Sequence, residues 1–171
     1  MDTWDAVRAR RNVRQYTDQP IERADLDRIL EAGRRAPSAS NWQPWRFVVV
    51  TGRERLEELA QVWQGAGHVA RSAATITVVA AEPEDEQFRN WLQYDCGQAT
   101  AYIMLTAADL GIGSGHAAVR DQDHARRVLG FPEDHFALCL IALGYPADHP
   151  LRPLTRPNRL PFDEVVRWDR W

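Results

Sequence analysis

The sequence predicts an α+β fold: one small mixed or antiparallel sheet flanked by helices. It reads as a single domain, 1–171, with residues 145–171 as an extended arm. Three observations carry this. Helical spacings and short β-branched runs interleave along the chain, with few strands and no internal repeat. One apolar stretch, Asp85 to Leu110, is far longer than the other helical runs and suits a central helix. The last segment holds five of the ten prolines yet stays rich in Leu, Val, Phe and Trp.

Taken in order, Asp2 or Thr3 would cap a short first helix with Trp4, Ala6 and Val7 on one face. Leu26, Ile29, Leu30 and Gly33 follow i, i+3, i+4, i+7, which predicts a helix from Glu22 to Arg35. Pro37 ends it, because the residue before proline avoids helical geometry. Arg46 to Thr51 is a short strand. Leu56, Leu59, Ala60 and Trp63 return to helical spacing. Ala73 to Ala81 reads as a strand buried on both faces. Asp85 to Leu110 is apolar on more than one side, as a core helix would be. Gly111 to Gly115 reads as its stop. Asp121 caps, and Gly130 ends, a short helix through Leu129. Phe136 to Leu143 is a third strand. Beyond Tyr145, prolines forbid a long helix or central strand. Leu151, Leu154, Leu160, Phe162, Val165, Val166, Trp168 and Trp171 make the arm too apolar to hang free. It should lie over a surface, its own or a partner's.

Composition narrows the function. The 171 residues carry a formal charge of -3, so no basic field would gather nucleic acid or an anionic membrane. No apolar run reaches the roughly 18 residues of a membrane span, and no signal peptide or lipidation motif is visible. All 21 basic residues are Arg, the better residue for forked contacts to phosphate. Cys96 and Cys139 lack metal spacing and read as buried free thiols in a reducing cytoplasm. His68, His124, His135 and His149 also lack metal spacing and read as surface residues; Asp95 has no assignable role.

Two segments carry chemistry. Arg8, Arg10, Arg11 and Arg14 surround Asn12 at the end of the first helix. A solvated helix terminus would favour such cations. A phosphate clamp would use them too, since several guanidiniums can neutralise a dianion together. The second segment, APSASNWQPWRFVVV from Ala36 to Val50, opens with Ser38, Ser40, Asn41 and Gln43 between Pro37 and Pro44, with Trp42 and Trp45 alongside. A plain turn needs fewer polar groups, although a capped helix-to-strand connection would absorb Ser38 and Asn41. Gly111, Gly113 and Gly115 follow a predicted helix and miss the dinucleotide spacing.

RRNVRQY, APSASNWQPW, LGIGSGHAAV, IALGYPA and RLPFDEVVRW, in that order, resemble the FMN-dependent nitroreductase family over nearly the whole chain, from about Ala9 to Trp168. The resemblance implies a nitroreductase-like fold whose C-terminal arm is exchanged in a homodimer, with FMN at the interface. It implies that Arg10, Arg11, Asn12 and Arg14 form the first flavin-contacting block, with Arg10 and Arg14 toward the phosphate and the pyrimidine edge. Pro37, Ser38 and Ala39 match the loop a partner lays against the ring, and Asn41 and Gln43 its polar continuation. Ala117 and Ala118 match the segment whose backbone donates toward flavin N5, and Arg159 the arm's cation at the phosphate. His116 is a candidate proton donor to substrate. The implied activity is ping-pong reduction of nitroaromatics, quinones or similar small acceptors by NAD(P)H. A flavin-storage module, or an oxidase or dehalogenase on the same scaffold, are the other readings. The chain departs from the family at Asn12, where Ser is more usual, and around Gln64 to His68, where an Asn is often found. It also has Pro157 and Ala118 where some members carry charge, and a short segment from Glu82 to Asn90 where some carry a lid.

Overall fold

The computed structural model describes residues 1–171. Its sheet is wholly antiparallel, with four strands in the order β1 (Trp45–Val50), β2 (Ala74–Ala81), β4 (His135–Gly144), β3 (Gly113–Ala118). The helices are α1 (Thr3–Ala9), α2 (Arg23–Arg34), α3 (Arg53–Leu59), α4 (Glu86–Asp109), α5 (Gln122–Leu129) and the one-turn α6 (Phe162–Val165). Asp2, Asp85 and Asp121 cap α1, α4 and α5 through their side chains, and Gly130 ends α5 at a φ of 73°.

Alternation along the central strands divides the core into two layers. Ile76, Val78 and Ala80 of β2 and Ile141 of β4 pack with Leu26, Ile29, Leu92 and Ile103 from α2 and α4. Val79, Leu140 and Ala142 turn the other way, onto Leu56, Leu59, Val62 and Ala125. That second layer is closed by 3-10 turns at Ala60–Val62 and Gln64–Arg71, where the sequence reading carried a helix on to Trp63.

Three expectations change. The first helix buries Ala6 and Ala9, while Trp4 and Val7 face outward. Only a small-residue face lets α1 sit close on Ala108 of α4. Gly111 to Gly115 is not merely a stop, because β3 begins at Gly113. A Cβ on Gly113 would stand 2.7 Å from that of Val13, and one on Gly115 would run into the Val13 carbonyl. The crossing segment excludes the β-branched residues that would have announced a strand. Finally, the arm starts on its own protomer. Leu151 is buried with Ala9, Val13 and Ala108. Backbone hydrogen bonds run from Thr17 to Tyr145, Ala147 to Gln15 and Leu154 to Arg8, at 2.9–3.1 Å. Past this, Leu160, Phe162, Val165, Trp168 and Trp171 are all exposed, Trp171 at 99%.

Candidate functional site

Residues after α1 cross β3 and continue onto β4. Val13 donates its N–H to the Ser114 carbonyl at 2.9 Å, Asn12 bridges to Ser114, and the Tyr16 hydroxyl donates to Val13 and lies 3.3 Å from the Ala142 carbonyl. Burial pushes the Tyr16 phenol well above its ordinary pKa, so it stays neutral. Ser114 turns its main chain away from β4. By strand alternation His116 and Ala118 turn theirs the same way, onto the outer edge of the sheet, whereas Ala117 faces β4. The Ala118 N–H is therefore the free donor of the pair. His116 is exposed on this edge.

The arginines divide by role. Arg11 donates to Asp148 at 2.7 Å and to the His149 carbonyl at 2.8 Å, clasping the start of the arm. That contact holds the Asp148 carboxyl at about 2. Arg14 is exposed and makes no side-chain hydrogen bond or ion pair within the protomer. Arg10 has only a long 3.5 Å contact to Asn12. It lines a cleft of about 390 Å³ together with Arg8, Arg159, Trp4, Val7 and Leu154. Opposite ends of the chain thus converge there, with three arginines beside apolar Trp4, Val7 and Leu154, and Arg8 also pairs with Asp5 at 3.5 Å; guanidiniums so gathered suit an anion.

His68 is not a surface residue. Its half-buried ring sits against β3, with Nε2 3.3 Å from the Gly115 carbonyl. Burial lowers its pKa, and Arg14 and His116 add to this.

The 36–45 loop is built differently from the Arg cluster. Ser40, Asn41 and Gln43 adopt φ of 49°, 57° and 54°, left-handed values that cost a non-glycine residue about 1 kcal/mol each. The loop's polar groups mostly satisfy one another. Gln43 donates its N–H to Ser38 Oγ at 2.9 Å and its side-chain amide to the Asn41 carbonyl, also at 2.9 Å. Asp95, 1% exposed on α4, accepts the Ala39 N–H at 3.0 Å. It stands in the buried stripe Leu92, Cys96, Ala99, and a lone acid at a core position was the signal that could have marked it. What the loop leaves exposed is Asn41, Trp42, Pro37, Ala39 and Ser40. The last two line an aromatic groove of about 440 Å³ with Trp42, Phe88 and Trp91. Trp42 and Phe88 meet edge to face, centroids 6.2 Å apart.

The two segments do not meet within one protomer. Asp95, which holds the loop, and Ala108, which packs on Val13, are thirteen residues apart on α4. At a rise of about 1.5 Å per residue that is about 20 Å. One ring system cannot touch both.

The sequence profile of the Nitroreductase family matches residues 7–145. A candidate NADH dehydrogenase/NAD(P)H nitroreductase of Archaeoglobus fulgidus is 37% identical over 148 residues, covering 83% of this chain and 84% of its own. Among solved structures, an FMN-dependent nitroreductase of Clostridium difficile superposes with a TM-score of 0.84 at 25% identity, covering 97% of this chain and 98% of that one. The NADPH:FMN oxidoreductase of Vibrio harveyi, solved with NAD+, gives 0.84 at 25% identity, with coverages of 97% and 76%.

Proposed function

The chain belongs to the nitroreductase family, and from that premise we propose that it is an FMN-dependent oxidoreductase. Its electron donor is NAD(P)H, its acceptors are nitroaromatics, quinones or similar electron-poor small molecules, and its working form is a homodimer. The observation that carries this reading is the convergence of Arg8, Arg10 and Arg159 on one cleft, with an unpaired Arg14 on the segment that crosses β3. The residues fit the cofactor. Arg10 and Arg159 would hold the phosphate, and Arg11, already paired with Asp148, would brace the segment that carries them. When bound, FMN supplies the two-electron transfer between nicotinamide and acceptor.

The remaining roles belong to this chain's own groups. Arg14 would bring a positive charge to the pyrimidine edge, where charge develops on reduction. The Ala118 N–H, fixed by the sheet, would donate toward the flavin. Asn12, bridged to Ser114, sets the position of both arginines. Because the loop bearing Pro37, Ser38 and Ala39 stands about 20 Å along α4 from the Arg cluster, a second copy would supply it to each site. The exposed apolar end of the arm supports the same dimer. Both cysteines are free thiols, which fits the cytoplasm.

The test uses the purified full chain. FMN is added, excess is removed, and NADH or NADPH is mixed in while flavin absorbance is followed. Bleaching, then recovery on adding nitrofurazone or menadione, is the expected result. Recovery with oxygen alone would make the protein an oxidase. Absence of FMN binding would sink the reading.

A further inference from the structure

Resting on the flavin reading above, we propose that His68 is a proton-accepting positioning residue. It takes up one proton as the ring beside Arg14 gains negative charge, and so couples reduction to pH. The geometry puts it there. The His68 Nε2 lies 3.3 Å from the carbonyl of Gly115, three residues before Ala118. A Cβ on Gly115 would meet His68 Cδ2 at 3.3 Å and the Tyr16 hydroxyl at 3.2 Å, so His68, Tyr16 and Val13 enclose this glycine together. The 64–71 turn that carries His68 is held from the other side by Arg53 of α3, which donates to the Ala70 carbonyl.

The charges around the ring are unbalanced. Arg14, from the crossing segment, and His116, from β3, both oppose a proton on His68, and burial opposes it more strongly. The Gly115 and Gly65 backbones favour it. No carboxylate acts on the ring, and no charged group of α3 does. Nε2 thus has the Gly115 carbonyl as a partner for the imidazolium form, while burial, reinforced by the positive neighbours, keeps the ring neutral. A negative charge laid against Arg14 removes that repulsion. His68 then protonates more readily and donates to the Gly115 carbonyl.

The balance is simple. A hydride from the reduced nicotinamide would carry two electrons and one proton to the bound flavin, leaving it one charge more negative. One proton from water enters His68 and offsets that charge. Tyr16, kept neutral by burial, does not compete.

The experiment measures the two-electron midpoint potential of the FMN-loaded protein between about pH 6 and 8.5, spanning the ordinary histidine range, for wild type and His68→Gln. Gln retains a donor for the Gly115 carbonyl and does not titrate. One proton per two electrons gives about 30 mV per pH unit, and two give about 60. Wild type should show the steeper slope within this window and His68→Gln the shallower. In parallel, NMR of ¹³C-labelled histidine in wild type should show the His68 titration moving upward on reduction. Equal slopes with FMN bound in both proteins overturn the proposal. So does an unmoved His68 titration, even where the variant does not fold. A protein that takes up no FMN fails the parent reading instead, and the two failures are distinguishable by flavin absorbance alone.

Discussion

Asp95 shows how much one buried side chain can organise. It stands in an otherwise apolar stripe and has no cation partner; its firm contact is the Ala39 N–H, with Gln98 a longer 3.4 Å from its other oxygen. Three left-handed residues follow within four positions of Ala39. The hydrogen bond therefore anchors a strained turn. Asp95→Ala should cost about 1–3 kcal/mol in urea unfolding, because it strands a part-buried donor. Asp95→Asn, which keeps an acceptor, should cost less. Equal losses would mean that the carboxylate's charge, not its acceptor, holds the loop. Thr77 is the opposite case. Its hydroxyl is buried on β2 with no hydrogen-bond partner. Thr77→Val keeps the shape and removes the desolvated oxygen, so stability should rise by about 1 kcal/mol. A measured loss would reveal a partner for that hydroxyl.

At the level of elements, β3 and the arm do the positioning. β3 is made of Gly, Ser, His and Ala because the crossing segment lies directly on it. That crossing lays Tyr16 across β4 and brings Arg14 toward His68 of the 64–71 turn. The arm, zipped along residues 8–17, carries Arg159 to the cleft that Arg10 lines. Arg10→Ala and Arg159→Ala should each weaken FMN binding about 10- to 100-fold, the loss of one charge-assisted contact of roughly 1.5–3 kcal/mol. Equilibrium dialysis reads this directly. The partner for comparison is Arg11→Ala, which should loosen the arm first and flavin only through it. If Arg10→Ala retained flavin as well as wild type, the clamp would have to be sought elsewhere.

For the whole molecule, the unresolved demand is apolar surface. Leu160, Phe162, Val165, Trp168 and Trp171 lie on the last stretch of the arm with no cover in the protomer. Surface of that kind on a protomer marks an interface. Truncation after Thr155 spares Leu151 and its cluster but removes these residues. Light scattering should report a dimer for the full chain and a monomer for the truncation, with FMN retention lost alongside. A truncated dimer would show that another face, such as the Trp42, Phe88 and Trp91 groove, holds the copies together.

Much of the architecture was legible from sequence because periodicity is a local property. The spacing of Leu26, Ile29 and Leu30 marked α2, β-branched runs marked β1 and β2, and Asp85 to Leu110 marked α4 within a residue or two of its ends. Motif order carried the family. β3 stayed hidden because close crossing selects residues without strand propensity. Asp95 and His68 stayed hidden because their partners, Ala39 and Gly115, are distant in the chain. The sequence by itself determined the candidate residues for an anion and a planar ring, because side-chain chemistry is local. Only the tertiary structure decided that Arg10 and Arg159 share a cleft while the loop stands about 20 Å away along α4. The reason is that α4 is a rigid rod, and its length separates what packs at either end.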